Sequence, residues 1–281
     1  MQRPDLVNSS KDQLSRIEWL QLAAISRSFQ DGLFADAVQF LQLKFGTRWI
    51  RLATNQLHRV HHIDRMPHFK PGDSFILASN HRSFFDLYVV TPAMLKYGIR
   101  QRMVFPVRSN FFYDHPLGFF VNGAMSFFAM YPPFFRDRKR TNLNMLGLDE
   151  LMWLLRKGGY FVGFHPEGTR NEGDPYELLP ARAGIGKLVR HTGVPVVPVF
   201  TNGLLPEDLK EQILSNFSRK GEMIHTVFGS PIDFGDLLQQ EPSQSLYKKI
   251  ANKTRDAIMA LGQEEKRIRA EYDSRSGSAR R

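Results

Sequence analysis

The sequence predicts an α/β protein with a mostly parallel central sheet, flanked by helices and preceded by an N-terminal helical hairpin. The main observation is that short apolar runs of strand length alternate with longer segments of helical spacing. The 281 residues, 42% of them hydrophobic, suffice for one globular domain of generous size. We therefore expect one α/β core with an appended helical segment.

The first element is the helical hairpin. From Asp12 to about Gln56 apolar residues recur every three or four positions, and Asp31-Gly32 divides this stretch into two helices. Two interpretations remain open, because such a hairpin can pack on the core or lie in a lipid interface. Residues 1–70 are thus predicted to form an N-terminal helical segment that is a candidate for membrane association.

The alternation of strands and helices begins after a turn at Pro71-Gly72-Asp73. The predicted strands are 74–79, 159–164, 194–200 and 224–228, and the predicted helices are 83–95, 143–157, 184–191 and 242–269. Residues 71–270 are therefore the predicted α/β domain. The polar, charged segment 271–281 is predicted to be a disordered basic tail.

The composition restricts the partners of the protein. A formal net charge of +10 favours anionic partners, and the absence of cysteine excludes disulfides, thiolate nucleophiles and cysteine zinc sites. Neither an uninterrupted apolar run of about 20 residues nor a signal peptide is evident. We expect a peripheral or monotopic protein on the cytoplasmic side of a membrane.

The first candidate site is Asn80-His81-Arg82-Ser83-Phe84-Phe85-Asp86, where a predicted strand turns into a helix. A histidine at this place can accept a proton at neutral pH, but Asp86 reaches it only if His81 precedes the helix. The alternative is structural, since Ser83 and Asp86 match a helix-capping box. Ser83 is not a candidate nucleophile, because no G-x-S-x-G elbow surrounds it.

Two further segments can bind anions. Glu167-Gly168-Thr169-Arg170 follows a predicted strand, and its arginine suits bidentate phosphate contact, although a plain turn with a surface arginine explains it equally well. The basic run that contains Arg136 and Arg138 is either a solvated loop or a phosphate clamp. No metal site is predicted, because the histidines that cluster in sequence lack accompanying carboxylates: His58, His61, His62 and His68.

Four segments in order, NHRSFFD, FFRDR, PEGTR and VPVVPV, resemble the motifs of the 1-acylglycerol-3-phosphate acyltransferase family, the lysophospholipid acyltransferases with an H-x4-D motif. The resemblance covers about residues 71–234. It implies transfer of a fatty acyl group to a hydroxyl of a glycerophosphate-type lipid, converting 1-acyl-sn-glycerol 3-phosphate to phosphatidate in phospholipid biosynthesis. Acyl-CoA or acyl-carrier protein would be the donor substrate, with no further cofactor. The implied partners are a membrane surface and a lysophospholipid acceptor, and not nucleic acid.

The resemblance also implies roles for individual residues. His81 would be the general base and Asp86 would orient it, while Arg138, with Arg136 as the alternative, would match the arginine of the second motif. The segment Glu167-Gly168-Thr169-Arg170 would bind the acceptor phosphate. Two positions depart from the family pattern: it usually has Phe at 165 and often Ser at 171, where this chain has His and Asn. These departures leave open an acceptor that differs from that of the family.

Three other functions remain open from the sequence. One is acyl transfer to a different acceptor, glycerol 3-phosphate or another lysolipid, and another is a catalytically inactive, basic lipid-binding protein. A nucleic-acid-binding module would explain the charge, but it leaves the spacing of His81 and Asp86 unused and shows no recognisable motif.

Overall fold

The computed structural model describes residues 2–205 and 209–278, and its class is α/β as predicted. The strands are β1 (His58–His61), β2 (Phe75–Ser79), β3 (Arg102–Arg108), β4 (Met130–Phe134), β5 (Tyr160–Phe164), β6 (Val196–Asn202) and β7 (Ile224–Phe228). The helices are α1 (Leu6–Ser9), α2 (Arg16–Arg27), α3 (Leu33–Phe45), α4 (Arg48–Thr54), α5 (Asp86–Val89), α6 (Thr91–Tyr97), α7 (Ser109–Phe112), α8 (Pro116–Ser126), α9 (Thr141–Lys157), α10 (Ala183–Thr192), α11 (Leu209–Ser218) and α12 (Gln244–Ser278). None of the helices in the described ranges has an apolar stretch long enough to cross a bilayer.

The chain forms two compact units, and each is assembled from separate segments. Unit 1 comprises Met1–Trp49, Phe69–Phe75 and Ile99–Gly163, and unit 2 comprises Ile50–His68, Ile76–Gly98 and Phe164–Arg281. The sequence predicts contiguous segments divided at residue 70. The observed division differs because residues far apart in sequence pack together within each unit.

Unit 1 contains the predicted helical hairpin. A capping box starts α2, in which Ser15 and Glu18 each bind the other's backbone amide. Gly32 precedes α3 with φ of +132°, a conformation that favours glycine, so the prediction that Asp31-Gly32 separates two helices is confirmed.

The N-terminal segment is an integral part of unit 1. The guanidinium of Arg3 lies 2.6 Å from the buried carboxylate of Glu150 on α9. The same carboxylate accepts a hydrogen bond from the Tyr131 hydroxyl on β4, at 2.9 Å. Arg3 also donates to the Ser26 hydroxyl at 2.8 Å. This buried polar network ties the N-terminal residues and α2 to the unit, because loss of Arg3 would leave the buried Glu150 carboxylate without its charged partner.

Strand β3 of unit 1 pairs in parallel with both β4 and β5. The sequence pattern does not predict β3 and β4, and β3 begins and ends with a basic residue, Arg102 and Arg108. Arg102 is nevertheless buried, with its guanidinium 3.9 Å from the centre of the Phe29 ring and a hydrogen bond to Ser28. These partners lie more than 70 residues away, beyond the reach of a local pattern.

Unit 2 contains the strands that position the candidate site. Strand β2 pairs in parallel with β6, and β1 pairs in parallel with β7, whereas β6 and β7 are antiparallel. The prediction that residues 1–70 are helical is wrong at β1, where His58 pairs with Ile224 and its ring bonds Thr226 at 2.9 Å. Tertiary pairing therefore creates a strand where the local sequence shows little strand signal.

Helix α12 of unit 2 continues through Ser278, beyond the predicted end at residue 269. The expected disorder from residue 271 is therefore not observed over 271–278, while residues 279–281 lie outside the described residues. Contacts within unit 2 explain the extension: Arg269 donates to the Met223 carbonyl at 3.0 Å, and the Tyr272 ring packs edge-on against His225.

Candidate active site

The candidate site begins where β2 ends. Ser79 is the last residue of the strand, and the buried side chain of Asn80 follows it. The side-chain amide nitrogen of Asn80 donates to the carbonyl of Thr201 on β6, and its amide oxygen accepts from the Thr201 backbone amide, both at 2.9 Å. These two hydrogen bonds fix the point at which the chain leaves the sheet. They therefore also fix the position of the next residue, His81.

His81 lies before the helix, as contact with Asp86 requires. Helix α5 begins only at Asp86, and the His81 Nδ1 atom lies 3.3 Å from Asp86 Oδ2. A carboxylate only accepts hydrogen bonds, so this contact assigns the ring proton to Nδ1 and leaves Nε2 with a free lone pair. The His81 side chain is 22% exposed, against 1% for Asp86. The arrangement presents a neutral imidazole whose inner nitrogen is held in place.

The Asp86 carboxylate also caps the turn that precedes α5. Its Oδ2 atom accepts from the backbone amides of Arg82, at 2.7 Å, and Ser83, at 2.8 Å. The predicted capping box is not formed, because Phe85 is the N-cap of α5 and the Ser83 hydroxyl accepts from the Phe85 amide. The Oδ2 atom that contacts His81 instead stabilises the turn before the helix. Burial raises the pKa of Asp86 to about 6, although the two amide donors oppose this shift.

Ser83 has a structural role. Its buried hydroxyl donates to the Leu205 carbonyl at 3.0 Å and accepts from the Phe85 amide at 3.2 Å. These bonds hold the hydroxyl within the turn, in agreement with the exclusion of Ser83 as a nucleophile.

Glu167 has a structural role at the site, and its predicted role in binding substrate stays a prediction. Its side chain is buried, and both carboxylate oxygens accept backbone amides: Oε1 from His81 and Oε2 from Leu179, each at 2.8 Å. Burial raises its pKa, and the two amide donors oppose that rise. This carboxylate, with one backbone donor on each oxygen, joins the His81 turn to the loop at 171–182.

The residues after Glu167 form a tight turn. Gly168 has φ of +68°, which favours glycine, and its amide donates to the His165 carbonyl at 3.1 Å. The backbone amide of Asn171 donates to the His81 carbonyl at 2.8 Å, so the turn is hydrogen-bonded directly to His81. The predicted set Gly168, Thr169 and Arg170 is therefore adjacent to His81 in unit 2, and its role in binding substrate stays a prediction.

The charge of Arg170 acts on the candidate base. Burial, together with the positive charge of Arg170, lowers the pKa of His81 to about 4. The His81 imidazole is therefore neutral at neutral pH and able to accept a proton.

His165, directly after β5, is a site residue that the sequence does not predict. Its ring lies face to face with that of His81, with centroids 3.8 Å apart and planes 8° from parallel. His81, Asp86 and His165 also form the one group within the described ranges whose ligand atoms, all within 4.8 Å of one another, suit a metal ion. However, the lone pairs of parallel stacked rings lie in parallel planes and do not converge on one ion. The arrangement therefore favours stacking over metal coordination.

Arg136 and Arg138 belong to unit 1. Arg136 is an exposed residue after β4, and Arg138 begins the 3-10 turn Arg138–Arg140, while its side chain lies outside the described part of the structure. Their predicted contact with substrate stays a prediction.

Comparison with known proteins identifies the family. The model of the acyltransferase family matches residues 58–202, just over half of the chain. The chain belongs to the acyltransferase family. The matched range contains every predicted site residue. The match confirms the family that the four ordered motifs indicated.

A solved structure supports the family fold. The chain is similar to the crystal structure of the 1-acyl-sn-glycerophosphate (LPA) acyltransferase PlsC from Thermotoga maritima, with 20% sequence identity, a TM-score of 0.52 and coverage of 93% of each chain. No curated protein matches the chain.

Two residues in the acyltransferase site are missed by sequence reasoning, His165 and Asn171. Both are positions at which the chain departs from the family pattern, and this is the only local signal that points to them. Their contacts with His81 arise from chain segments more than 80 residues away, which no spacing rule connects.

Proposed function

We propose that this acyltransferase moves a fatty acyl group from an acyl thioester, acyl-CoA or acyl-carrier protein, to a hydroxyl of a glycerophosphate-type lipid. The proposed reaction in phospholipid biosynthesis is conversion of 1-acyl-sn-glycerol 3-phosphate to phosphatidate. The observation that carries the proposal is the neutral His81 imidazole, held by Asp86 and adjacent to the turn of Arg170. The similar PlsC protein is named as an acyltransferase of 1-acyl-sn-glycerophosphate, which is the same class of acceptor.

The proposed mechanism starts with the free lone pair of His81 Nε2. This nitrogen accepts the proton of the acceptor hydroxyl as the oxygen attacks the thioester carbonyl, and the carbonyl oxygen takes the negative charge. The tetrahedral intermediate then expels the thiolate, which takes the proton from the imidazolium. An ester bond forms and a thioester bond breaks, with no acyl-enzyme intermediate.

Asp86 has a specific part in this mechanism. While His81 carries the transferred proton, Nδ1–H points at a buried carboxylate, which stabilises the positive ring. The contact of 3.3 Å is long for a charge-assisted hydrogen bond, and such contacts commonly shorten when the ring becomes charged.

Arg170 is proposed to bind the phosphate of the acceptor. Its planar guanidinium suits bidentate contact with phosphate oxygens, and its charge lowers the pKa of His81, which supports a position near the reacting groups. Thr169 and Gly168 are proposed to contribute hydroxyl and backbone donors. Arg138, or Arg136, is proposed to add a further cation.

A membrane surface is the proposed partner, since the acceptor is an amphiphile. Helix α3 of unit 1 exposes an apolar stripe at helical spacing, whose members are Leu33, Phe34, Phe40, Leu41 and Phe45. The net charge of +10 favours an anionic leaflet. We propose peripheral or monotopic attachment to the cytoplasmic side through this stripe.

The decisive experiment measures acyl transfer from labelled acyl-CoA to 1-acyl-sn-glycerol 3-phosphate by the wild type and by His81→Ala. Loss of a general base lowers kcat by about 10²- to 10⁴-fold. His68→Ala is the matched control, because this exposed histidine packs on Tyr97 at 4.6 Å and has no proposed role. Equal rates for the wild type and His81→Ala would reject the mechanism.

Parallel assays separate the alternatives. Glycerol 3-phosphate and other lysolipids test the acceptor, and acyl-carrier protein tests the donor. Wild-type protein that binds lysolipid without turnover with any donor would instead support the inactive lipid-binding alternative.

A further inference from the structure

The second imidazole of the site has no part in the mechanism above. The His165 ring covers a face of the His81 ring at a centroid distance of 3.8 Å, which is direct contact between two aromatic faces. The stacked Phe69–Phe75 pair, by comparison, has a centroid distance of 4.2 Å. When His81 gains or loses a proton, its charge therefore changes in direct contact with the face of the His165 ring.

The structure fixes the protonation state of His165. Its Nδ1 atom lies 3.1 Å from the Ser79 carbonyl oxygen at the end of β2. A carbonyl only accepts, so Nδ1 carries the proton of the neutral ring. Burial, together with the adjacent His81, lowers the pKa of His165 to about 3. His165 is thus a neutral aromatic ring at neutral pH, anchored to the strand that carries His81.

A neutral aromatic ring stabilises a cation that lies on its face, because the face carries partial negative charge. His81 becomes such a cation when it accepts a proton. The other charged groups of the site act in both directions: Asp86 and Glu167 are anionic, whereas Arg82 and Arg170 are cationic. Arg170 in particular disfavours the imidazolium. The face of His165 therefore opposes the effect of Arg170 without adding another charge.

We propose that His165 is a positioning residue of the acyltransferase, whose ring fixes the plane of the His81 imidazole and stabilises its protonated form. The inference rests on the proposed function, in which His81 is the general base. It gives a physical role to the position at which this chain departs from the phenylalanine that is usual in the family. It predicts that an aromatic ring, rather than histidine itself, is required there.

The test compares His165→Phe, which keeps an aromatic face, with His165→Leu, which keeps apolar bulk without one. Histidine-ring NMR titration measures the pKa of His81, whose signal is assigned by its absence in His81→Ala. The pKa should be higher in the Phe variant than in the Leu variant by roughly half a unit or more. Equal values in the two variants would overturn the proposal.

Kinetics provide the second readout. His165→Phe should keep kcat within about threefold of the wild type, whereas His165→Leu should lose roughly tenfold in kcat with an unchanged acceptor KM, as expected when an interaction acts only in the transition state. His165→Gln is a second non-aromatic variant in case the Leu variant does not fold, because its amide can still donate to Ser79. Equal kcat values in the aromatic and non-aromatic variants would also overturn the proposal.

Failure of this inference can be distinguished from failure of the proposed function. If the wild type transfers acyl groups and His81→Ala does not, the function stands whatever the His165 variants do. If the wild type transfers none, the function fails, and the NMR comparison still decides whether His165 stabilises the protonated His81.

Discussion

The Glu167 carboxylate accepts a hydrogen bond from the backbone amide of His81 at 2.8 Å, and its second oxygen accepts one from Leu179 at the same distance. Two chain segments 98 residues apart, at positions 81 and 179, are thus joined through one buried side chain. The conformation of the turn that carries the candidate base therefore depends on Glu167.

The first prediction concerns Glu167→Gln. An amide group can accept only one of the two backbone amides and turns an N–H donor toward the other, so we expect a loss of about 1–3 kcal/mol in the free energy of unfolding. The turnover number should fall as well, because the His81 backbone loses its partner. Urea unfolding and acyl-transfer assays measure these effects. Glu172→Gln is the control, because this exposed residue lies in the same loop, and a similar loss there would contradict the assignment.

The second prediction concerns Asp86→Asn. Burial raises the pKa of Asp86 from 3.8 to about 6, so the ionised carboxyl destabilises the folded state. Below pH 3.8 the carboxyl is protonated in both the folded and the unfolded state, so it does not destabilise the fold. The destabilisation grows as pH rises above 3.8 and reaches its full size above about pH 6. At about 1.4 kcal/mol per pKa unit, the variant should gain up to about 3 kcal/mol over the wild type.

Urea unfolding of both proteins from pH 4 to pH 8 measures this gain. The stability difference should increase between about pH 4 and 6 and then remain constant, while acyl transfer by the variant is nearly lost. A difference that does not change with pH would show that Asp86 is not destabilised by its charge.

The third prediction concerns the pH dependence of kcat/KM in the wild type. The proposed mechanism needs an ionised Asp86, with a pKa of about 6, and a neutral His81, with a pKa of about 4. Activity should therefore fall as pH drops through about 6, since protonation of Asp86 removes the charge that stabilises the imidazolium. Acyl transfer followed from pH 4.5 to 8 tests this, and a constant rate over that range is incompatible with the proposed pair.

The fourth prediction concerns Arg170→Ala. Loss of a charge-assisted contact with phosphate should raise the acceptor KM by roughly tenfold or more, with a smaller effect on kcat, because the contact exists in both the ground and the transition state. Lys249→Ala removes the same charge from an exposed position on α12 and is the matched control. An unchanged acceptor KM in Arg170→Ala would exclude its phosphate role.

The fifth prediction concerns membrane attachment. The double variant Phe34→Gln with Phe40→Gln on α3 should reduce co-sedimentation with anionic vesicles, since the apolar stripe loses two side chains that are 51% and 56% exposed. Deletion of the N-terminal helices is a poor test, because the Arg3–Glu150 ion pair makes them part of unit 1.

Helix α11 supplies the control for this experiment. Leu214→Gln with Phe217→Gln removes side chains of similar exposure, 59% and 55%, from a different helix. Equal losses in the two double variants would point to general hydrophobicity rather than attachment through α3.

The sequence by itself determined the fold class, the family and the position of the candidate base. These follow from local patterns: the apolar strand that ends at Ser79, the helical pattern predicted over 83–95 and the place of His81 between them. Such patterns are visible because strand, turn and helix signals depend on neighbours within a few positions.

Only the tertiary structure decided how the side chains are used. In the sequence, Glu167 looks like a residue that binds substrate, and His165 looks like a simple departure from a family motif. In the structure, Glu167 accepts a hydrogen bond from the His81 backbone, and the His165 ring stacks on the His81 ring. The same applies to strand β3, whose Arg102 is buried by partners from the residues that follow α2. Burial and pairing of a polar group are set by segments distant in the chain, and these contacts determine its chemistry.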